Sequence, residues 1–142
     1  LIMNNKKVIS YIKLFCELTP EKIVYFDDLI DKNIIFIDPF NNVKGSEKFK
    51  KVFYHMFKKV KNPNFLVIDY LVGKEIVFLK WEMSFEAFNS LQKIEGVSEL
   101  LINKEGKISS HVDYWDSLNG LFIKLPFIGF FYKLSLKMFK VD

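Results

Sequence analysis

Hydrophobic positions recur at two different spacings along this chain, and the change from one to the other divides it. Between residues 6 and 18, Val8, Ile12 and Phe15, with Tyr11 beside them, follow helical spacing and predict a first helix. Thr19 and Pro20 restart the pattern. A threonine hydroxyl suits an N-cap, and proline at the first helical position gives up an N–H that has no intrahelical acceptor. This second helix is expected to run to about residue 31, with Asn33 in its C-terminal turn. "IIFID" (34–38) predicts a short strand with Ile34, Phe36 and Asp38 on one face, ended by Pro39. The strongest helix signal follows in "GSEKFKKVFYHMFKKV", where Phe49, Val52, Phe53, Met56, Phe57 and Val60 form a stripe opposite lysines.

From residue 65 the period becomes two. "FLVIDYLV" (65–72) and "EIVFLKWEMSFEA" (75–87) flank Gly73-Lys74 and predict a hairpin, with Val77, Leu79, Trp81, Met83 and Phe85 on one face of its second arm. "IEGVSELLIN" and "KISSHVDYWD" predict two further strands around the "KEGK" turn at 104–107. Helices followed by a run of antiparallel strands define an α+β fold. At 142 residues the chain has the length of one domain, 1–142, with residues 121–142 as a hydrophobic C-terminal extension.

Composition changes this picture in two places. The formal charge is +4, but all 21 basic residues are lysine, so the bidentate guanidinium fork that grips phosphate and guanine is missing. The lysines are also mixed with 17 acidic residues, which argues against nucleic acid as a partner. The single Cys16 excludes an intrachain disulfide framework and a cysteine zinc cluster. No secretory leader is recognised and no apolar run reaches membrane-spanning length, so a soluble cytoplasmic protein is expected.

The chemistry concentrates in "HVDYWD" (111–116). Strand alternation places His111, Asp113 and Trp115 together on one face. That face is either the solvated side of an edge strand or a cavity wall, and Trp115 favours the wall. A carboxylate beside an imidazole favours its charged form while burial opposes it, a combination that tunes acid/base groups near neutrality. Asp38, in phase with Ile34 and Phe36, is either a second buried carboxylate or a turn residue before proline. The other histidine, His55, falls on the lysine side of its helix and is expected at the solvated surface. His-x-Asp supplies two metal ligands at most, so no metal is expected, and no nucleotide or dinucleotide fingerprint implies a cofactor.

Over about residues 8–118 the layout resembles the nuclear transport factor 2-like superfamily, which includes ketosteroid isomerases and SnoaL-like polyketide cyclases. The resemblance is carried by the helix pair, "IIFIDPFNNVKG" leading into the third helix, "KWEM" in the hairpin, the "EGKI" turn, and "DYWD" ending the last strand. It implies a curved antiparallel sheet wrapped around three helices, enclosing a cone-shaped apolar pocket. It also implies roles. Asp38 would be the general base, Tyr11 an oxyanion-hole hydroxyl, and Trp115 a pocket wall that carries His111 and Asp113 inward. The resemblance departs from the steroid enzymes at Ser98, which stands where they have a protonated aspartate, and at His111 and Asp113, where they are apolar.

The expected catalytic set is therefore Asp38 as base, His111 as proton donor or second base, and Asp113 as its orienter. Tyr11, Phe40, Leu79, Trp81, Met83, Ser98 and Trp115 would contact substrate. The expected function is acid/base isomerisation or cyclisation of a small hydrophobic carbonyl compound; the alternative is a non-catalytic domain that binds a lipophilic ligand or a protein. Expected partners are a small hydrophobic ligand and a second copy of the chain in a homodimer. In the extension, Phe127, Phe130, Phe131, Leu134, Met138 and Val141 align in one helical stripe, with Lys133, Lys137 and Lys140 opposite. That stripe would pack on the domain, cross a dimer interface, cap the pocket mouth, or lie on a membrane surface.

Overall fold

The structure, a computed structural model, describes residues 6–140. Helix α1 (Lys6–Cys16) buries Val8, Tyr11, Leu14 and Phe15. The segment after Thr19 is a 3-10 helix, Pro20–Asp28, that buries Ile23 and Phe26. It ends earlier than the helical pattern predicts, because the backbone switches at once into strand β1 (Ile30–Ile37). Asp31 holds the switch in place: its carboxylate accepts from the Asn33 N–H at 2.7 Å and from Asn103 Nδ2 at 2.8 Å. These two donors hold the Asp31 carboxyl below its usual pKa.

A short strand β2 (Asn42–Lys44) turns back antiparallel on β1 and leads into α2 (Ser46–Lys59). α2 buries Phe49 and Phe53 against the core, together with Lys50. Lys50 is satisfied there by Asp27 and Glu47, each at 2.8 Å, and these hydrogen bonds raise its pKa. The remaining strands are β3 (Lys61–Val72), β4 (Ile76–Ala87), β5 (Ser90–Ile102) and β6 (Ile108–Trp115). β4 begins at the Gly73-Lys74 turn as the spacing predicts. β3 starts four residues earlier than its alternation does, directly at the end of α2.

The six strands form one open sheet in the order β2-β1-β6-β5-β4-β3. All neighbours are antiparallel except β1 and β6, which run parallel with Phe36 opposite His111. This junction joins the first third of the chain to its last strand. The inner face of the sheet and the helices share one aromatic core, in which Tyr11, Phe26, Phe36 and Phe49 are essentially inaccessible.

Beyond the sheet come a short helix α3 (Ser117–Gly120), a 3-10 turn (Phe122–Lys124) and α4 (Pro126–Leu136). Asp116 caps α3 by accepting from the Asn119 N–H at 2.9 Å. α4 packs on the 3-10 turn before it, where Gly129 meets Ile123: a Cβ on Gly129 would lie 2.2 Å from the Ile123 carbonyl oxygen. Of the placements expected for the apolar stripe, packing on the domain is not the one seen: the stripe is exposed, Phe127 by 82 %, Phe131 by 66 % and Met138 by 80 %. Val141 of that stripe lies outside the described residues.

Candidate functional site

Alternation on β4, β5 and β6 aims one set of side chains inward, and the register fixes which of them meet. Leu79 pairs with Ser98 and Ser98 with Asp113; Trp81 pairs with Gly96 and Gly96 with Trp115. The glycine is required by the ring beside it. A Cβ on Gly96 would stand 2.3 Å from Cζ2 of Trp81, so the indole lies flat across the strand. That pose delivers Trp81 Nε1–H to Ser98 Oγ at 2.8 Å.

From Ser98 a continuous hydrogen-bonded chain crosses the site. Ser98 Oγ donates to Asp113 Oδ1 at 2.5 Å, and His111 Nε2 lies 2.8 Å from the same oxygen. On the far side of the imidazole, the Tyr11 hydroxyl lies 2.7 Å from His111 Nδ1. A neutral ring carrying its proton on Nε2 satisfies every member: Nε2–H donates to Asp113, and Nδ1 accepts from Tyr11. Tyr11 is wholly buried, and burial reinforced by the Asp113 charge pushes its pKa well above the ordinary phenol value.

The chain ends in a cavity of about 1230 Å³ between the inner sheet face and α2. Phe40, Leu79, Trp81, Met83, Ser98, His111, Asp113 and Trp115, all expected at the site, line it. The accessible end of the chain is the carboxylate. The His111 side chain is 4 % exposed and both its nitrogens are engaged, whereas that of Asp113 is 17 % exposed and, among the described residues, hydrogen-bonded through Oδ1. Rings of Phe15, Phe36 and Tyr11 stand at centroid distances of 5.2–5.9 Å and pack around the imidazole, Phe15 and Phe36 from the cavity wall and Tyr11 from outside it.

Two residues are placed differently from expectation. Tyr11, expected to contact substrate, is not part of the cavity wall; the inner face of α1 puts it behind His111, between Phe15 and Phe26. Asp38 reaches the cavity wall, but its carboxylate closes its own turn. Oδ1 accepts from the Phe40 and Asn41 N–H groups at 2.8 and 2.6 Å, and Asn41 Nδ2 lies 3.0 Å from both oxygens. Asp38 and His111 thus share a cavity without a hydrogen bond between them.

Sequence reasoning missed the α2 wall. Val52, Phe53, Met56 and Val60 of the apolar stripe line the cavity, together with His55 and Lys59 beside them. The signal was present, since 52, 55, 56 and 59 are spaced i, i+3, i+4, i+7. His55 is exposed, as expected, but it stands at the cavity rim. Among the described residues no group of three or more His, Cys, Asp or Glu side chains is placed to hold a metal.

Comparison with known proteins agrees with this architecture. No curated protein matches the chain. Among solved structures, a nuclear transport factor 2-like protein of unknown function from Exiguobacterium sp. is 15 % identical, with a TM-score of 0.68 over 78 % of this chain and 98 % of that one. A putative SnoaL-like polyketide cyclase from Jannaschia sp. is 13 % identical, with a TM-score of 0.68 over 83 % and 90 %. A hypothetical protein with a ketosteroid isomerase-like fold from Catenulispora acidiphila, in complex with trimethylamine, is 12 % identical, with a TM-score of 0.69 over 82 % and 89 %. At these identities the likeness is one of fold. The sequence profile of the SnoaL-like domain matches residues 14–111, more than half of the chain, and the chain therefore belongs to the SnoaL-like family within the nuclear transport factor 2-like superfamily.

Proposed function

We propose that the protein catalyses proton transfer at carbon, an isomerisation or cyclisation of a hydrophobic carbonyl compound, with Asp113 as the base. One observation carries this reading: Asp113 lines the cavity with its side chain 17 % exposed while Oδ1 is held by Ser98 and His111. A carboxylate held by one oxygen is oriented without being consumed, as a general base must be. Asp113 removes a proton next to the carbonyl and returns it to another carbon of the rearranged product. His111 orients it, and Tyr11 fixes the imidazole tautomer from behind. Relative to the roles expected from the sequence, Asp113 takes the base, His111 the positioning role, and Asp38 shapes the wall through its turn.

The substrate class follows from the donors. Trp81 Nε1, which would otherwise face a developing enolate, is bound to Ser98, and Asn41 Nδ2 is bound to Asp38. The wall therefore offers an enolate little hydrogen bonding at depth. A carbon acid whose own structure delocalises the charge, such as a 1,3-dicarbonyl, suits this site better than a simple ketone.

The test is hydrogen–deuterium exchange at the central carbon of a hydrophobic 1,3-diketone, followed by NMR with wild type and Asp113→Asn. Wild type is expected to accelerate exchange, and the variant to lose about 100-fold or more of that acceleration, the scale of a positioned base. Equal rates for the two proteins would sink the catalytic reading and leave the cavity as a binding site for a lipophilic ligand.

A further inference from the structure

The extension after β6 is not absorbed by the chemistry of the cavity, and its surface is unusual. α4 meets the domain through the preceding 3-10 turn, leaving Phe127, Phe130, Phe131, Leu134 and Met138 exposed by 54–82 %. From Ser117 to Lys140 the sequence has no acidic residue and four lysines, Lys124, Lys133, Lys137 and Lys140. With 11 residues, α4 is about 16 Å long, too short to cross a bilayer, and among the described residues no helix is long and apolar enough to do so.

The exposed surface continues past the helix to the cavity mouth. Lys124 donates to Gln92 Oε1, and the amide nitrogen of Gln92 in turn binds Ser90 Oγ at 2.6 Å, at the β4–β5 tip. That tip carries Phe88, 57 % exposed, and Leu91, 71 % exposed, both at the edge of the cavity. Phe88 has φ of +54°, a left-handed conformation that is costly for a bulky aromatic. Lys59 and Lys61 stand on the same rim.

We propose that this face, α4 together with the β4–β5 tip, docks on an anionic lipid bilayer, so that the cavity opens toward the membrane surface. Exposed aromatic and aliphatic side chains flanked by lysines, with no carboxylate in the segment, match the acyl–headgroup boundary of such a bilayer in both polarity and charge. Docking places the mouth where a lipophilic ligand passes from lipid into the cavity without crossing water. The proposal does not depend on what Asp113 does.

The experiment is vesicle co-sedimentation of the full chain at low salt. It compares phosphatidylcholine vesicles with vesicles containing about 30 % phosphatidylglycerol, the anionic lipid attracting lysines. Wild type is expected to pellet with the anionic vesicles and to be released by salt. Each lysine near an anionic surface contributes roughly fivefold, so Lys133→Glu, Lys137→Glu and Lys140→Glu together lower partitioning by more than about 100-fold. Phe127→Ser, Phe130→Ser and Phe131→Ser together weaken it by at least as much, each lost ring contributing roughly tenfold. All six positions are exposed, and circular dichroism checks that the variants fold. Absence of pelleting with anionic vesicles overturns the proposal, as does binding to both vesicle types that the lysine changes leave intact. A solution mass that falls on the phenylalanine changes, without vesicle binding, assigns the helix to a second copy of the chain and overturns it too.

Discussion

Tyr11→Phe removes one oxygen atom from a site with no solvent access, and its consequences are calculable. The ring keeps its packing against Phe15 and Phe26, at 5.0 and 5.4 Å, so the change isolates the hydroxyl. His111 Nδ1 loses its only hydrogen-bond donor and becomes a buried, unsatisfied acceptor, a loss of about 1–3 kcal/mol. The cost depends on pH in a defined direction. The folded-state pKa of Tyr11 lies above the ordinary phenol value of about 10, so its contribution is fully present below about 10 and declines as pH rises toward the folded value. Up to that folded value the decline is about 1.4 kcal/mol per pH unit, because the unfolded tyrosine ionises while the buried one stays protonated. The wild-type advantage should therefore shrink by roughly 1.4 kcal/mol between pH 9 and 11. The other five tyrosines are common to both proteins and cancel in the difference. Urea unfolding at pH 7, 9 and 11 measures this, and nitrogen NMR of the imidazoles reads the tautomer directly. Two results would refute the reasoning: a variant within about 0.5 kcal/mol of wild type whose alkaline decline runs parallel to it, or a wild-type His111 protonated on Nδ1.

Gly96→Ala drives a methyl into the Trp81 ring and is expected to cost about 2–4 kcal/mol through overpacking and the strained Trp81–Ser98 bond. Adding Trp81→Leu should recover part of that cost in urea unfolding; strictly additive losses would argue against the contact. Phe88→Gly should raise stability by about 1 kcal/mol by relieving the left-handed backbone, while lowering vesicle affinity if the tip reaches lipid. Calorimetry and co-sedimentation read the two effects separately, and an unchanged melting temperature would count against the strain. A second copy is expected on the outer sheet face, where Phe78, Val97, Leu101 and Tyr114 are 40–58 % exposed. Light scattering should then give twice the 16.8 kDa chain mass, reduced to the single mass by Val97→Glu with Leu101→Glu, and a monomeric wild type removes the expectation.

The fold was legible where one period dominated. Alternation over 75–87 gave the inner face, with Val77, Leu79, Trp81, Met83 and Phe85 all buried, whereas over 108–115 it left either face open, and a register shift opposite Ile108 buries both Ile108 and His111. It failed where side-chain hydrogen bonds outside the local pattern decided the backbone, as at Asp31, whose partner Asn103 lies 72 residues away. β2, three residues long, carried too short a pattern to register. At the site, spacing brought His111, Asp113 and Trp115 to one face, but alternation says nothing about which member a cavity exposes. That depends on the rings of Phe15 and Phe36, which close over the imidazole and leave the carboxylate open. The turn at Asp38 was readable from Asp-Pro as one of two alternatives, and Asn41 decided between them.

The parallel junction between β1 and β6 has a consequence for how the chain comes off the ribosome. β1 carries Ile34 and Phe36 toward the core, yet its partner on that side, from Ile108 to Val112, is translated some seventy residues later. Until then β1 can pair only with the three residues of β2, and the edge that takes β6 stays open although β3, β4 and β5 have already been made. The nascent N-terminal half therefore presents an open strand edge until β6 emerges, the condition in which chains recruit chaperones or pair wrongly. Slowing translation between β2 and β6 should lower the soluble yield of this protein more than slowing it after Trp115.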